Sequence, residues 1–279
     1  MSGPADKAAR KPRFETLFEM AGLTSFELPS CLERIYGGSV GFEPPALFTN
    51  FVASIDGVVA LEGDAPPSVI RGASPADLFL MGLLRACADT VLIGASTLRS
   101  GPKHLWDHEA VFPEMATAFS RLRRTLGLPG SPQLVVLSRS GDLDPSIRAL
   151  EAGALVITTD AGKANLKGKL PAAATILSRG PEVRIGEVVE VLRRQGGRLI
   201  LSEGGPHVLG QLLEARVVDE LFLTVAPTLT GRCFSRRRLG LIEGFALDLQ
   251  ELAGTDLLSV KRDTSHLFLR YRIRCFSSA

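Results

Sequence analysis

Cysteine is scarce and scattered. The four residues Cys31, Cys87, Cys233 and Cys275 form no CxxC pair, a spacing that argues against a structural zinc site and against a disulfide framework. Reduced thiols in a cytoplasmic setting are the expectation. Excess charge is missing as well. The formal net charge is +2 over 279 residues, too small to make nucleic acid or a membrane surface the main partner. No apolar run approaches the ~20 residues that span a bilayer. The stretch from Met1 to Arg13 is polar and basic and lacks the apolar core of a secretory signal. There is no GxGxxG dinucleotide fingerprint, no P-loop, no GxSxG elbow and no Cys/His nucleophile arrangement. His104 and His108 stand four apart with no strong third ligand, so no metal is expected.

What is present is ordinary globular material. Hydrophobic residues make up 45% and charged residues 22%, which allows a sizeable core. Residues 1–13 read as a disordered tail. Residues 14–45, with Gly37, Gly38, Gly41, Pro44 and Pro45, read as an irregular extension packed on the main domain at 46–279. From residue 46, short β-branched runs alternate with longer amphipathic ones, the pattern of repeated βα units and a parallel sheet. Strands are predicted at 47–54, 90–94, 133–138, 154–158, 175–178, 198–202, 220–226 and 266–274. Helices are predicted at 75–88, 113–126, 145–152, 186–195 and 207–215. Continuous apolar runs such as Val91-Leu92-Ile93 require burial on both faces, hence helices on both sides of the sheet. The last two strands have no helix between them and are predicted to form an antiparallel C-terminal edge. The fold class is α/β, one main domain with a mixed, mostly parallel central sheet.

In an open α/β sheet, ligands bind beyond the carboxyl ends of the strands. Four predicted strand ends carry Gly, hydroxyls or charge. The run Ser202-Glu203-Gly204-Gly205-Pro206-His207 joins a strand to a helix. Glycines let backbone N–H groups approach an anion, and a helix N-terminus adds roughly +0.5 of a charge. That suits a pyrophosphate, although a plain strand-to-helix turn reads equally well. Gly94-Ala95-Ser96-Thr97 offers a glycine and two hydroxyls, for a ligand or for a helix cap. Ser138-Arg139 suits a 2′-phosphate, since guanidinium pairs bidentately with phosphate; an exposed strand-end arginine is otherwise merely solvated. Asp56 before Gly57 is either a proton donor or a β-turn residue, and Glu203 is either catalytic or a backbone cap. Trp106 lines a cleft or packs a loop. Arg236-Arg237-Arg238 reads as a solvated charge run.

Four segments in this order resemble a known family: the reductase domain of the bacterial bifunctional riboflavin-biosynthesis deaminase-reductases, with its stand-alone pyrimidine reductase relatives. They are the run from Asn50 to Gly57, the run from Leu84 to Thr97, the turn from Ser202 to His207, and Val218 through Pro227 to Gly231. The likeness runs from about Leu47 to Arg274. It implies a dihydrofolate-reductase-like fold, a homodimer, and NADPH reducing the ribosylamino group of a pyrimidine 5′-phosphate by hydride transfer to the sugar C1′. It places Gly94, Thr97, Gly204, Gly205, Pro206 and His207 at the cofactor, with Ser138 and Arg139 near its 2′-phosphate. Asn50, Ser54 and Arg85 would bind substrate, Arg85 meeting the substrate phosphate, and Asp56 and Glu203 would be catalytic.

The sequence also departs from that family. Residues 1–45 are too short for the zinc-binding deaminase half. After Thr97 the family continues into an acidic Asp-Asn/Asp-Pro segment, where this chain reads Leu98-Arg99-Ser100-Gly101-Pro102-Lys103. Position 50 is Asn, as in the stand-alone relatives. Two alternatives stay open: a dihydrofolate or other pteridine reductase of the same fold, and a nucleotide-binding protein without turnover.

Overall fold

The runs Val91-Leu92-Ile93 and Leu134-Val135-Val136 are closed off from solvent on both sides, none of these side chains exceeding 7% exposure. They belong to the middle of a ten-stranded sheet. The computed structural model describes residues 10–61, 65–66, 68–233, 238–247 and 254–274. Cys275, residues 1–9 of the predicted tail, and Arg236 and Arg237 lie outside the described residues.

In chain order the elements begin with β1 (Glu15–Glu19), α1 (Ser30–Tyr36), β2 (Ala46–Ser54), β3 (Val58–Ala60) and α2 (Ser68–Arg71). Next come α3 (Pro75–Cys87), β4 (Thr90–Gly94), α4 (Ala95–Ser100), α5 (His108–Val111) and α6 (Ala116–Thr125). The central part continues with β5 (Gln133–Ser138), α7 (Arg148–Ala152), β6 (Leu155–Thr158), α8 (Asp160–Leu166) and β7 (Thr175–Ser178). It closes with α9 (Ile185–Arg194), β8 (Leu199–Ser202), α10 (Pro206–Glu214), β9 (Glu220–Ala226), β10 (Leu239–Gly240), β11 (Thr255–Asp263) and β12 (His266–Ile273).

The sheet order is β1-β11-β12-β9-β2-β8-β4-β5-β6-β7, with β10 and β3 forming a small second sheet. From β9 to β7 all neighbours are parallel. β12, β11 and β1 add an antiparallel edge, so the mixed, mostly parallel sheet expected from the sequence is the one formed. Residues of α3 and α6 pack on one face with an aromatic cluster that includes Phe48, Phe79 and Phe119. Residues of α9 and α10 cover the other face.

Two aspartates stitch the amino ends of the strands. Asp89 Oδ2 accepts the N–H groups of Arg198 and Leu199, both at 2.7 Å, and Asp219 Oδ2 accepts that of Leu47 at 2.7 Å. The first turn of α3 is held by the Ser74 hydroxyl, which accepts from the Asp77 N–H at 3.3 Å, with Pro75 in the first helical turn. At the other end of α3, the buried Arg123 donates to the carbonyls of Arg85 (3.0 Å) and Ala88 (2.5 Å).

The N-terminal extension departs from its expected irregular form. It contributes α1 and the edge strand β1, whose side chains are all exposed. Such a strand pairs through its backbone, so no buried alternation marks it in the sequence. β11 was not expected either, because Asp256, Ser259, Lys261, Arg262 and Asp263 break its apolar pattern. Lys261 is nonetheless buried, its ammonium donating to Glu19 (3.0 Å), Thr16 Oγ1 (2.8 Å) and the Gly37 carbonyl (3.0 Å).

Candidate active site

β8 forms late in the chain yet inserts between β2 and β4. After β4 the chain moves toward β5, and after β8 it moves back toward β9, so the connections diverge at this point. A crevice opens where strand order reverses, outside the carboxyl ends. A cavity of about 290 Å³ lies there, lined by Asn50 of β2, Arg71 of α2, Asp77 and Arg85 of α3, Thr97 of α4, and Glu203, Gly205, Pro206 and His207. A larger space of about 440 Å³ borders Asp89, Thr90 and Gly196 at the amino ends of the strands. The carboxyl-end cavity is the better site despite its size, because the diverging helices and the convergent polar groups are found there.

Glu203 follows β8 directly and its N–H donates to the Leu92 carbonyl at 3.0 Å. Both of its carboxylate oxygens are taken by Arg85, Nε to Oε1 at 2.9 Å and Nη2 to Oε2 at 2.5 Å. The pair is buried, Arg85 at 0% and Glu203 at 6% side-chain exposure. The remaining guanidinium nitrogen donates to the carbonyls of Leu105 (3.3 Å) and Asp107 (3.2 Å). It also approaches His104 Nε2 at 3.4 Å. Burial first, then the charges of Arg85 and Arg71, pull the His104 pKa down to about 4. The ring is therefore neutral near pH 7 and free to accept from Arg85.

The Gly204-Gly205 turn opens α10. Gly205 sits at φ +72°, in the region that favours glycine, and a Cβ there would stand 3.3 Å from Thr97 Oγ1 and 3.5 Å from Ser96 Oγ. Thr97 Oγ1 donates to the Gly204 carbonyl at 3.2 Å and ties the two strand ends together. No side chain caps α10; the N–H groups of Val208 and Leu209 both donate to the Gly205 carbonyl, at 3.0 and 3.1 Å. His207 also borders the cavity.

Asp77 is 3% exposed, and burial pushes its carboxyl pKa up against the opposing pull of Arg71 and Thr224. Among the described residues, Asn50 Oδ1 and Arg71 Nε are enclosed without a hydrogen-bond partner.

Residues 45–256 match the RibD C-terminal domain family. The chain belongs to the RibD C-terminal domain family. The 2,5-diamino-6-ribosylamino-4(3H)-pyrimidinone 5′-phosphate reductase of Archaeoglobus fulgidus is 26% identical over 190 residues, 67% of this chain and 82% of that one. A pyrimidine reductase-like protein of Corynebacterium diphtheriae superposes with TM-score 0.64 at 23% identity, over 82% of this chain and 92% of that one. Acinetobacter baumannii RibD gives TM-score 0.61 at 19% identity, over 83% of this chain and 58% of its own. The dihydrofolate-reductase-like fold implied by the sequence is the fold of this RibD C-terminal domain.

In this RibD C-terminal domain the cavity gathers Asn50, Arg85, Thr97, Glu203, Gly205, Pro206 and His207, all singled out in the sequence. Gly94 is buried at the end of β4, where a Cβ would meet Val208 at 3.1 Å. Ser138 and Arg139 share the same sheet end on β5, next to β4, outside the cavity lining. The Ser138 hydroxyl accepts from the Gly141 N–H at 3.1 Å, and the Arg139 side chain is exposed.

Three of the expected site residues have their polar groups engaged within the protein. Asp56 does not line the cavity. Its carboxylate accepts from the N–H groups of Thr230 (3.1 Å) and Gly231 (2.7 Å) and from the Thr230 hydroxyl. Hydrogen bonding from Ser54 and from these groups holds its pKa far below the carboxylate range, so it stays ionised. Ser54 is spent in that turn, its hydroxyl accepting from the Val58 N–H at 3.0 Å. Arg85 forms part of the cavity wall, but its charge is turned toward Glu203 and the 104–107 loop, not toward an incoming phosphate.

Arg71, Asp77 and Asn50 are further polar residues of the cavity lining. Neither Arg71 nor Asp77 belongs to a motif, and the short turn between α2 and α3 that brings them within 3.8 Å leaves no periodic signature. Among the described residues no cluster of three or more His, Cys, Asp or Glu side chains suits a metal, and no helix is long and apolar enough to cross a membrane.

Proposed function

We propose that this chain is an NADPH-dependent reductase acting on a ribosylamino-pyrimidine 5′-phosphate, the substrate class in the name of its Archaeoglobus relative. The observation that carries this reading is one cavity lined by two unlike groups of residues. One group is Thr97 of α4 with Gly205, Pro206 and His207 at the α10 entrance, and the other is Asn50 of β2, Arg71 of α2 and Asp77 of α3. A Cβ at Gly205 would stand tightly against Thr97 Oγ1 at 3.3 Å, and glycine there leaves the backbone open to the close approach that a pyrophosphate needs.

In this reading Thr97, Gly204, Gly205, Pro206 and His207 hold the pyrophosphate, Gly94 supports their turn, and Ser138 with Arg139 receives the adenosine 2′-phosphate. When bound, NADPH supplies the hydride, delivered to the sugar C1′ of the ring-opened imine. The chain supplies orientation and charge. Asn50 Oδ1 accepts from the heterocycle. Glu203, held by two bonds from Arg85, fixes the cavity wall beside the sugar. Asp77 replaces Asp56 as the proton source, since it is the lining carboxyl whose burial favours the protonated form. A homodimer and a cytoplasmic location complete the proposal; sedimentation velocity and cell fractionation test them.

The decisive experiment is an NADPH titration followed by turnover assays with the ribosylamino-pyrimidine 5′-phosphate and with dihydrofolate side by side. NADPH oxidation with the first and not the second is expected. NADPH binding with no oxidation by either substrate would return the chain to the non-catalytic alternative.

A further inference from the structure

Within that reductase reading, we infer that Arg71 is the receptor for the phosphate of the substrate. The cavity is bordered by four potential cations among the described residues: Arg71, Arg85, His104 and His207. Arg85 is fully buried with its donors directed to Glu203, Leu105 and Asp107. His104 is neutral near pH 7. His207 stands at the α10 entrance, on the cofactor side.

Arg71 is different. Its side chain is 15% exposed and its Nε is enclosed without a partner. The nearest carboxylate oxygen, Asp77 Oδ2, is 3.8 Å away, too far for a hydrogen bond. Burial also weakens Asp77 as a standing counter-charge by raising its pKa. An enclosed guanidinium N–H left unpaired is unfavourable, and a phosphate monoester meets it with the fork geometry it suits.

The backbone around Arg71 is held in place. His266 Nε2 is 2.9 Å from the Arg71 carbonyl, and the Thr228 hydroxyl donates to the Ile70 carbonyl at 3.2 Å. α2 is thereby anchored to the segment after β9 and to the start of β12, and the guanidinium is presented from a fixed base.

The test compares the reduced product, a ribitylamino-pyrimidine 5′-phosphate, with its dephosphorylated form. Binding to the cofactor-free protein is measured by calorimetry, and kcat/KM is measured with the matching substrates. Wild-type protein should prefer the phosphorylated form by about 30-fold or more. Arg71→Ala should shrink that preference to about threefold or less while leaving affinity for the dephosphorylated form within about twofold. Arg71→Lys should recover part of the preference, as a point charge without the fork. Preference retained in Arg71→Ala overturns the inference. So does an equal loss on both forms, the mark of a structural role, with Arg71→Gln and thermal melts showing whether the fold is intact. A wild-type protein that turns over the dephosphorylated substrate as well as the phosphorylated one defeats the receptor role alone. A protein that binds neither form defeats the reductase reading and the receptor role with it.

Discussion

Arg85 and Glu203 form a buried ion pair whose members depend on each other. Truncating one leaves the other charged in a place that water does not reach, at a penalty of about 3–5 kcal/mol. We expect Glu203→Ala to lose stability on that scale in urea unfolding, and the double variant Arg85→Leu/Glu203→Leu to regain most of it without regaining turnover. His104 gives a pH signature. Its ordinary pKa of 6.5 falls to about 4 in the folded protein. The unfolded chain therefore takes up this proton below about 6.5, and the folded chain resists until about 4. The stability held above pH 6.5 should drain away across that window, and His104→Gln should flatten this part of the curve in pH-dependent melts. Asp56 teaches the converse at the same scale. The sequence displayed a carboxylate before a glycine at a strand end; its partners Thr230 and Gly231 are far along the chain, and only folding reveals that the charge is already used.

Elements announce themselves in sequence to the degree that burial patterns them. β4 and β5 were legible because apolar runs buried on both faces leave a continuous signature. The helices α3 and α9 were legible from their length and amphipathic spacing. α2, α4 and α5 span four to six residues, little more than one helical turn, which is too short for a periodicity to emerge. β1 and β11 were hidden for the opposite reason, since their polar residues are satisfied by partners outside the strand. The α10 entrance was legible through Gly204-Gly205, and here the element yields its own prediction. Gly205→Ala must place a side chain at φ +72° and against Thr97 Oγ1. Strain of about 1–3 kcal/mol is expected there, read as a rise of tenfold or more in the NADPH dissociation constant by fluorescence titration, with the global fold retained.

At the scale of the molecule, the N-terminal extension is part of the sheet and not an appendage. β1 covers the edge of β11, and Thr16 and Glu19 satisfy the buried Lys261. Removing residues 1–20 should leave that ammonium short of two partners and expose a strand edge. We expect a loss of about 3 kcal/mol or more in stability and concentration-dependent association, visible in thermal melts and light scattering. The parallel strands carry a further asymmetry, between their two ends. Where they begin, Asp89 and Asp219 clasp neighbouring backbones together; where they finish, the chain turns through glycines and short helices. A scaffold bound along one margin and loose along the other can revise its selectivity by rewriting the segments that follow Ser54, Gly94 and Ser202, while the clasped margin goes on specifying the same architecture.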